Sequence, residues 1–341
     1  MTFESIIGQE RAIRLLRRML QNGRLAHALL FTGIDGIGRQ TSAKALAMAL
    51  NCANPVGVSA CGVCRSCQKV ISGNHPDVII VRPSGAFIKI DQARALRKNL
   101  RFAPLERGRR VIIVNDAQTM NAEASNAMLK ILEEPPNDTH IILTASQTTD
   151  LLPTIVSRCQ NIHFRPIPVA TIAEVLVARG NLDQDTATAL AILAKGSLGR
   201  VLSADAKKWM AWREQLLGRV ASVAKESIQE LFVFAEALAH DKANLEDALD
   251  MMTTWFRDVL VCKFQPEKVL NGDFMESIRG ASKEFSVNEI LEKMAAVFAA
   301  QWAILKRANP RLALEVMMLR LRSGNVGGGS LRGEAPMGLE G

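Results

Sequence analysis

The sequence lacks any continuous apolar run of the length that a membrane-spanning helix needs. Its 341 residues are 48% hydrophobic, but no stretch of about 18 apolar residues occurs among them. The start of the chain, at residues 1–5, also lacks the basic-then-apolar pattern of a secretory signal. We therefore expect a soluble, cytoplasmic protein, and the length is enough for two or three domains.

The sequence also lacks a dense run of basic residues, although its formal net charge is +8. The cations are spread along the chain, which is typical of solvated faces, and the charge is compatible with a nucleic-acid partner without requiring one. Two clusters are the best candidates for a basic surface. They are Arg94, Arg97, Lys98 and Arg101, followed by Arg107, Arg109 and Arg110.

Residues 33–41, here named the phosphate loop, have the spacing of a phosphate-binding loop but lack its usual side chains. Gly33, Gly36 and Gly38 stand between a predicted buried strand and a predicted helix, where backbone N–H groups can surround a phosphate. A working loop then needs a lysine for the outer phosphates and a Ser or Thr hydroxyl for Mg²⁺. Those two places hold Arg39 and Gln40.

These replacements change what the phosphate loop can do. Arg39 keeps a positive charge on a larger, planar group, and the amide of Gln40 is a poor Mg²⁺ ligand. Thr41 comes one residue late, which turns its hydroxyl by about 100° around the helix. The loop alone fits either a nucleotide site that binds weakly or not at all, or an ordinary Gly-rich turn.

A second departure follows the apolar strand predicted at residues 110–114. Active nucleotide hydrolases end the corresponding strand in two acids, one for the hydrated metal and one that polarises the attacking water. This chain has Asn115 and Asp116 there, so one of the two acids is missing. Taken alone, an apolar strand that ends in Asn-Asp is simply a strand followed by a turn.

Four cysteines within residues 52–67 predict a metal site. Two overlapping C-x-x-C pairs and one upstream cysteine supply four soft thiolates that can converge tetrahedrally on a structural Zn²⁺. A disulfide is disfavoured without a secretory signal, and an Fe–S cluster is less expected in so small an insert. No nearby His or carboxylate suggests an open catalytic position. The four residues, here named the cysteine module, are Cys52, Cys61, Cys64 and Cys67.

The order of predicted elements indicates the fold class. Strand-like and helical segments alternate up to about residue 165, which predicts an α/β fold with a parallel sheet and helices on both faces. Short helical segments follow, and residues 207–322 show apolar helical stripes throughout. Residues 323–341, with glycine at 324, 327, 328 and 329, lack apolar periodicity and predict a disordered tail.

One segment carries a resemblance to a known family. Asn126-Ala127-Met128-Leu129-Lys130-Ile131-Leu132-Glu133-Glu134-Pro135-Pro136, followed about twenty residues later by Ser157-Arg158-Cys159, closely resembles the clamp-loader branch of the AAA+ proteins. The resemblance covers residues 1 to about 322. It implies a RecA-like AAA+ domain at 1–165 with a zinc module at 52–67, a small helical lid at 166–206, an all-α collar at 207–322 and a tail at 323–341.

The resemblance also implies roles for single residues. Asn115 falls on the family's metal-binding Asp and Asp116 on its catalytic Glu, so this chain is expected not to hydrolyse ATP, and its ATP binding is doubtful. Arg158 matches the family's arginine finger, which projects into the ATP site of a neighbouring subunit and offsets charge on the γ-phosphate. On residue type alone, an exposed arginine at a strand end is far commoner than an arginine finger.

The partners implied by the resemblance are those of a clamp-loader ring. They are a neighbouring tau/gamma subunit that binds ATP, a delta subunit on the other side and, through the ring, the sliding clamp and primed DNA. Residues 196–200 match the family's lid motif, whose arginine senses the γ-phosphate. With the phosphate loop altered, we expect Arg200 to cap packing or to contact a neighbour instead.

Two other functions stay open at this point. An ATP-hydrolysing tau/gamma-type subunit would need Arg39 to replace the lysine and Asp116 to act without a second acid. A DNA-binding module would use the cysteine segment, but that segment offers only Arg65 and Lys69 as cations and no aromatic residue for base stacking.

Overall fold

The computed structural model describes residues 2–100, 103–106, 108–180, 182–202, 206–242 and 244–322. The chain divides into two compact units, Met1–Asp205 and Ala206–Gly341. The tail expected at 323–341 lies outside the described residues, as do Arg101 and Arg107 of the basic clusters.

The first unit is built on a parallel sheet of five strands in the order β2-β3-β4-β1-β5. Its inner strands are short, mostly apolar runs, since a parallel sheet is covered on both faces, whereas the edge strand β5 is polar and largely exposed. Every residue of β1, β3 and β4 is buried. The strands are β1 Ala28–Thr32, β2 Val78–Val81, β3 Arg110–Val114, β4 Thr139–Ala145 and β5 Gln160–His163. The parallel α/β architecture predicted from the sequence is confirmed.

Nine helices belong to the described part of this unit, most of them between successive strands. They are α1 Glu10–Gln21, α2 Arg39–Asn51, α3 Arg65–Ser72, α4 Ile90–Asn99, α5 Ala122–Glu133, α6 Pro153–Val156, α7 Val169–Gly180, α8 Gln184–Leu193 and α9 Leu198–Leu202. Helices α4 and α5 cover a core that includes Leu96, Ile112, Met128 and Ile141. This packing fixes both ends of α5 relative to the sheet.

The parallel pairing separates the sheet into two functional ends. At the carboxyl end, β1 leads into the phosphate loop and β3 into Asn115, on either side of β4. At the amino end, Arg158 lies two residues before the start of β5. The β1–β5 ladder runs from Leu29 opposite Gln160 to Thr32 opposite His163. Since β1 lies where the strand order reverses, the carboxyl end is where such folds place ligands.

The second unit is helical throughout its described residues, apart from short 3₁₀ turns and loops. Its helices are α10 Ala206–Ser222, α11 Ile228–His240, α12 Leu245–Cys262, α13 Met275–Glu284, α14 Val287–Leu305 and α15 Pro310–Arg322. Trp255 and Phe256 of α12 are fully buried and pack edge to face. In the described residues of both units, no helix combines the length and apolar character needed to cross a bilayer.

Candidate functional site

The phosphate loop adopts a conformation that only glycine takes easily. Gly33, Gly36 and Gly38 have φ values of +145°, +69° and +106°, a region that disfavours residues with a Cβ. A Cβ added at Gly33 would lie 2.7 Å from the carbonyl oxygen of Phe164. Gly38 immediately precedes α2, so the loop joins a buried strand to a helix N-terminus as the sequence predicts.

Arg39, at the lysine position, is buried and faces carboxylates of its own chain. Its side chain is only 2% exposed, and its Nη2 lies 2.9 Å from Asp35 Oδ1 and 3.9 Å from Asp116 Oδ1. Its Nη1 is buried without a hydrogen-bond partner. Carboxylates of the same chain therefore pair with the positive charge of Arg39. In a working loop, the phosphates of a nucleotide would pair with the cation at this position.

Asp116, at the position of the catalytic acid, is held by its backbone. It has a left-handed φ of +52°, and its N–H donates to Thr144 Oγ1 at 3.0 Å. Burial raises the pKa of the Asp116 carboxyl, the nearby charge of Asp35 raises it further, and Arg39 acts in the opposite direction. The structure thus brings Arg39 and Asp116 together across β4, although 76 residues of chain separate them.

Asn115 is buried and its side chain is poorly satisfied. Only 2% of the residue is exposed, and its Oδ1 has no hydrogen-bond partner.

Most of the phosphate loop borders a cavity. Gln40 is exposed and Thr41 is half-buried. A cavity of about 380 Å³ lies beside the loop. It is lined by residues 5–7 and 35–41 together with Ile167, Arg179, Leu198, Gly199 and Leu202.

The lid motif at residues 196–200 touches the phosphate loop directly. The N–H of Gly199 donates to the carbonyl oxygen of Gly36 at 2.9 Å. A Cβ at Gly36 would lie 2.3 Å from Ser197 Oγ, and a Cβ at Gly199 would lie 2.8 Å from Gly36 Cα. Sequence reasoning missed this contact, and its only sequence signal was the pair of glycines on the two segments.

The cysteine module brings all four sulfurs together. The four Sγ atoms lie within 4.8 Å of one another, and Cys52 Sγ is 3.5 Å from Cys61 Sγ and 3.9 Å from Cys64 Sγ. Four thiolates about 2.3 Å from a tetrahedral zinc ion would stand about 3.8 Å apart. The residues therefore fit a four-coordinate metal ion, and the convergence predicted from the cysteine spacing is confirmed.

Local hydrogen bonds lower the pKa of two of the four thiols, Cys61 and Cys64, whereas burial raises the pKa of Cys52 and Cys67. Burial raises the pKa of Cys64, but hydrogen bonds from the backbone N–H groups of Cys67 and Ala53 and from neighbouring thiols outweigh it and lower the pKa to about 6. Cys64 is also the N-cap of α3. Since metal ions bind the thiolate, Cys64 offers a ligand that is deprotonated at neutral pH.

A hydrogen-bonded cluster connects the residues next to the cysteine module. It was not predicted from the sequence. Ser66 Oγ donates to the carbonyl oxygen of Asn51 at 2.7 Å and lies 3.1 Å from Nε2 of the buried His75. Glu106 contacts His75 at 3.4 Å and pairs with Lys69. Single polar residues spread over 55 positions give no spacing signal, so only the fold reveals the cluster.

Arg158 lies at the amino end of the sheet, on the turn between α6 and β5. Its Nη2 pairs with Glu133 Oε1 at 2.8 Å, and its Nη1 donates to the carbonyl oxygen of Thr154 at 3.0 Å. The side chain is 37% exposed. The β1–β5 ladder separates Arg158 from the chain's own phosphate loop.

Comparison with known proteins places the chain in a family. A family model described as DNA polymerase III, delta subunit, matches residues 8–168, and one described as DNA polymerase III, delta subunit, C terminal, matches residues 207–323. The DNA polymerase III subunit delta' of Bacillus subtilis is 30% identical over 93% of this chain and 97% of its own length. That of Pseudomonas aeruginosa is 35% identical over 69% and 72%, respectively.

More distant relatives come from another subunit type. The DNA polymerase III subunit gamma/tau of Mycobacterium tuberculosis is 30% identical over 94% of this chain and 61% of its own length. A solved DNA polymerase III gamma subunit-related protein of Thermotoga maritima has 19% identity and a TM-score of 0.40, with 91% of this chain and 98% of that chain covered. From the two family models and the delta' relatives, the chain belongs to the clamp-loader delta' family of DNA polymerase III.

Proposed function

We propose that this chain is a non-hydrolysing subunit of a bacterial clamp loader that supplies Arg158 to ATP bound by a neighbouring tau/gamma subunit. In this role it helps to load a sliding clamp onto primed DNA, and it also contacts a delta subunit. The tau/gamma proteins among its relatives support the choice of ATP-binding neighbour. The chain acts by completing another subunit's site.

The observation that carries the proposal is the position of Arg158 relative to the chain's own phosphate loop. The two lie at opposite ends of the β1–β5 ladder, so the guanidinium does not face a nucleotide in its own chain. Arg158 is partly exposed, and the arginine side chain is a permanent cation in proteins. An exposed, pre-ordered arginine is suited to offset developing phosphate charge in another subunit.

The carboxyl end of the sheet supports the non-hydrolysing half of the proposal. Phosphoryl transfer requires a cation on the outer phosphates, a bound Mg²⁺ and an acid that positions water. Arg39 is instead buried against Asp35 and Asp116, and Asn115 offers a neutral amide in place of the metal-binding carboxylate. We therefore propose that the chain does not turn over ATP, even if a nucleotide enters the adjacent cavity.

The test is steady-state ATP hydrolysis by a reconstituted loader that contains this chain, tau/gamma and delta subunits, a clamp and primed DNA. Arg158→Ala should lower turnover by up to about 10³-fold, the low end of the effect of an arginine finger. Arg11→Ala, on an exposed position of α1, is the matched control and should leave turnover unchanged. Hydrolysis by the isolated chain that Arg158→Ala does not affect would instead identify an ATP-hydrolysing subunit.

For the cysteine module we propose a structural Zn²⁺ held by Cys52, Cys61, Cys64 and Cys67. A bound zinc ion would cross-link the end of α2 to the start of α3, and it leaves no ligand position open for catalysis. Purified chain should contain about one zinc per molecule by elemental analysis. Cys64→Ser should lower this content and the melting temperature, whereas Cys262→Ser, in the other unit, should change neither the zinc content nor its response to a chelator. Full zinc retention in Cys64→Ser would contradict the assignment.

A further inference from the structure

The guanidinium of Arg158 is held on two sides by separate helices. Glu133, the last residue of α5, accepts from Nη2, and the carbonyl oxygen of Thr154 in α6 accepts from Nη1. Arginine has several rotatable bonds, so an unpaired exposed guanidinium would sample many positions. The two acceptors, Glu133 and the carbonyl oxygen of Thr154, hold the guanidinium in one of those positions.

Glu133 is itself held in place by its neighbours. The preceding residues Ile131 and Leu132 are buried in the core of the first unit, and the carbonyl oxygen of Leu132 lies 3.2 Å from His27 Nε2. Pro135 and Pro136 follow, and proline restricts the backbone immediately beyond the helix end. The carboxylate therefore stands on a rigid base although its side chain is 48% exposed.

The pairing leaves Arg158 able to bind an additional anion. A guanidinium has five N–H donors. Glu133 and Thr154 take one each, and Ser157 Oγ lies 3.5 Å from Nη1. At least two donors therefore remain for a phosphate oxygen. Since the guanidinium does not lose its proton, the neighbouring carboxylate orients the cation without discharging it.

We infer that Glu133 is a positioning residue that orders Arg158 for its contact with the neighbouring subunit's ATP. The inference rests on the proposed function, because it assigns to Glu133 a part in the same trans contact. A carboxylate that merely stabilised the fold would leave the kinetics of the assembled loader unchanged. A carboxylate that held Arg158 back from the neighbour would have the opposite kinetic effect.

The experiment measures kcat and KM for ATP in the reconstituted loader, at equal amounts of assembled complex. Glu133→Ala should lower kcat by roughly tenfold with little change in KM, since a misplaced group loses contacts made in the transition state. Glu133→Gln keeps the side-chain length and an acceptor oxygen, and it should restore most of kcat. Glu134→Ala removes the adjacent exposed carboxylate and is the matched control for loss of charge.

A double variant separates positioning from an independent effect. In the Arg158→Ala background, Glu133→Ala should cause no further loss, because there is no guanidinium left to order. If Glu133→Ala matches Glu134→Ala, or raises kcat, while Arg158→Ala still lowers it, the positioning role is wrong and the proposed function stands. If Arg158→Ala itself leaves turnover unchanged, the proposed function fails as well.

Discussion

The two ends of the sheet each present an arginine, and the two arginines are in opposite situations. Arg39 at the carboxyl end is 2% exposed and turned toward Asp35 and Asp116. Arg158 at the amino end is 37% exposed, bonded to Glu133 and to the carbonyl oxygen of Thr154, and still reaches solvent. Residue type therefore does not decide whether a cation serves a ligand. The access of solvent to the guanidinium decides it, since Arg158 uses more of its donors within the chain than Arg39 does and still reaches solvent.

The largest effect should come from changing the geometry of the exposed arginine while keeping its charge. Arg158→Lys replaces a planar fork by a compact ammonium on a flexible stem, which lacks the fixed geometry with which arginine contacts Glu133 and a phosphate oxygen. Turnover of the reconstituted loader should fall by about 10²-fold, less than for Arg158→Ala. Near wild-type turnover would mean that charge alone matters at the amino end, and the contrast with Arg39 would weaken.

A smaller effect should follow from disturbing the carboxyl end. Gly36→Ala puts a Cβ in a left-handed conformation and within 2.3 Å of Ser197 Oγ. We expect it to lower the free energy of unfolding by about 2–3 kcal/mol, measured by urea denaturation. Gly57→Ala is matched in φ, at +61°, but has no atom within 4 Å of the new Cβ. It should cost about 1 kcal/mol.

The same pair of variants sharpens the comparison between the two ends. Loader turnover per assembled complex should be the same for Gly36→Ala and Gly57→Ala, because neither touches Arg158. A selective loss of turnover in Gly36→Ala would show that the chain's own phosphate loop takes part in hydrolysis.

The smallest effect concerns the pH dependence of stability at Asp116. Burial raises the pKa of this carboxyl above its ordinary value of 3.8. The folded state then binds the proton more tightly than the unfolded state, so the ionised carboxyl opposes folding above the raised pKa. Asp116→Asn should therefore gain stability relative to the wild type as pH rises from below 3.8 through that pKa.

Urea denaturation of both proteins at about pH 4 and at neutral pH measures this difference. Asp116→Asn should also leave loader turnover unchanged. The Asn variant could instead lose stability relative to the wild type as pH rises. In that case the attraction of Arg39 lowers the pKa of Asp116 by more than burial raises it, and the pairing of these two residues is stronger than we infer.

Much of the site could be predicted from local sequence. Glycine at three positions of the phosphate loop implies a left-handed turn before a helix, and C-x-x-C spacing implies converging thiols, because both depend on residues close in the chain. The pairing of Arg39 with Asp116 and of Arg158 with Glu133 depends on how distant segments cross in space. No periodicity records such contacts, so the sequence predicted the altered chemistry of Arg39 but not its pairing with Asp116.

The strand pairing between the two ends has a mechanical consequence. Four paired residues at about 3.3 Å each make the β1–β5 ladder roughly 13 Å long, and its hydrogen bonds keep that length fixed. The sheet is thus a short lever with the phosphate loop near one end and Arg158 near the other. A tilt of about 5° would move the far end by about 1 Å, a displacement large enough to cost up to ~10²-fold in rate at a reacting centre. If the chain acts in a ring as we propose, small rotations of this subunit would set the gap between the Arg158 guanidinium and a neighbour's phosphate.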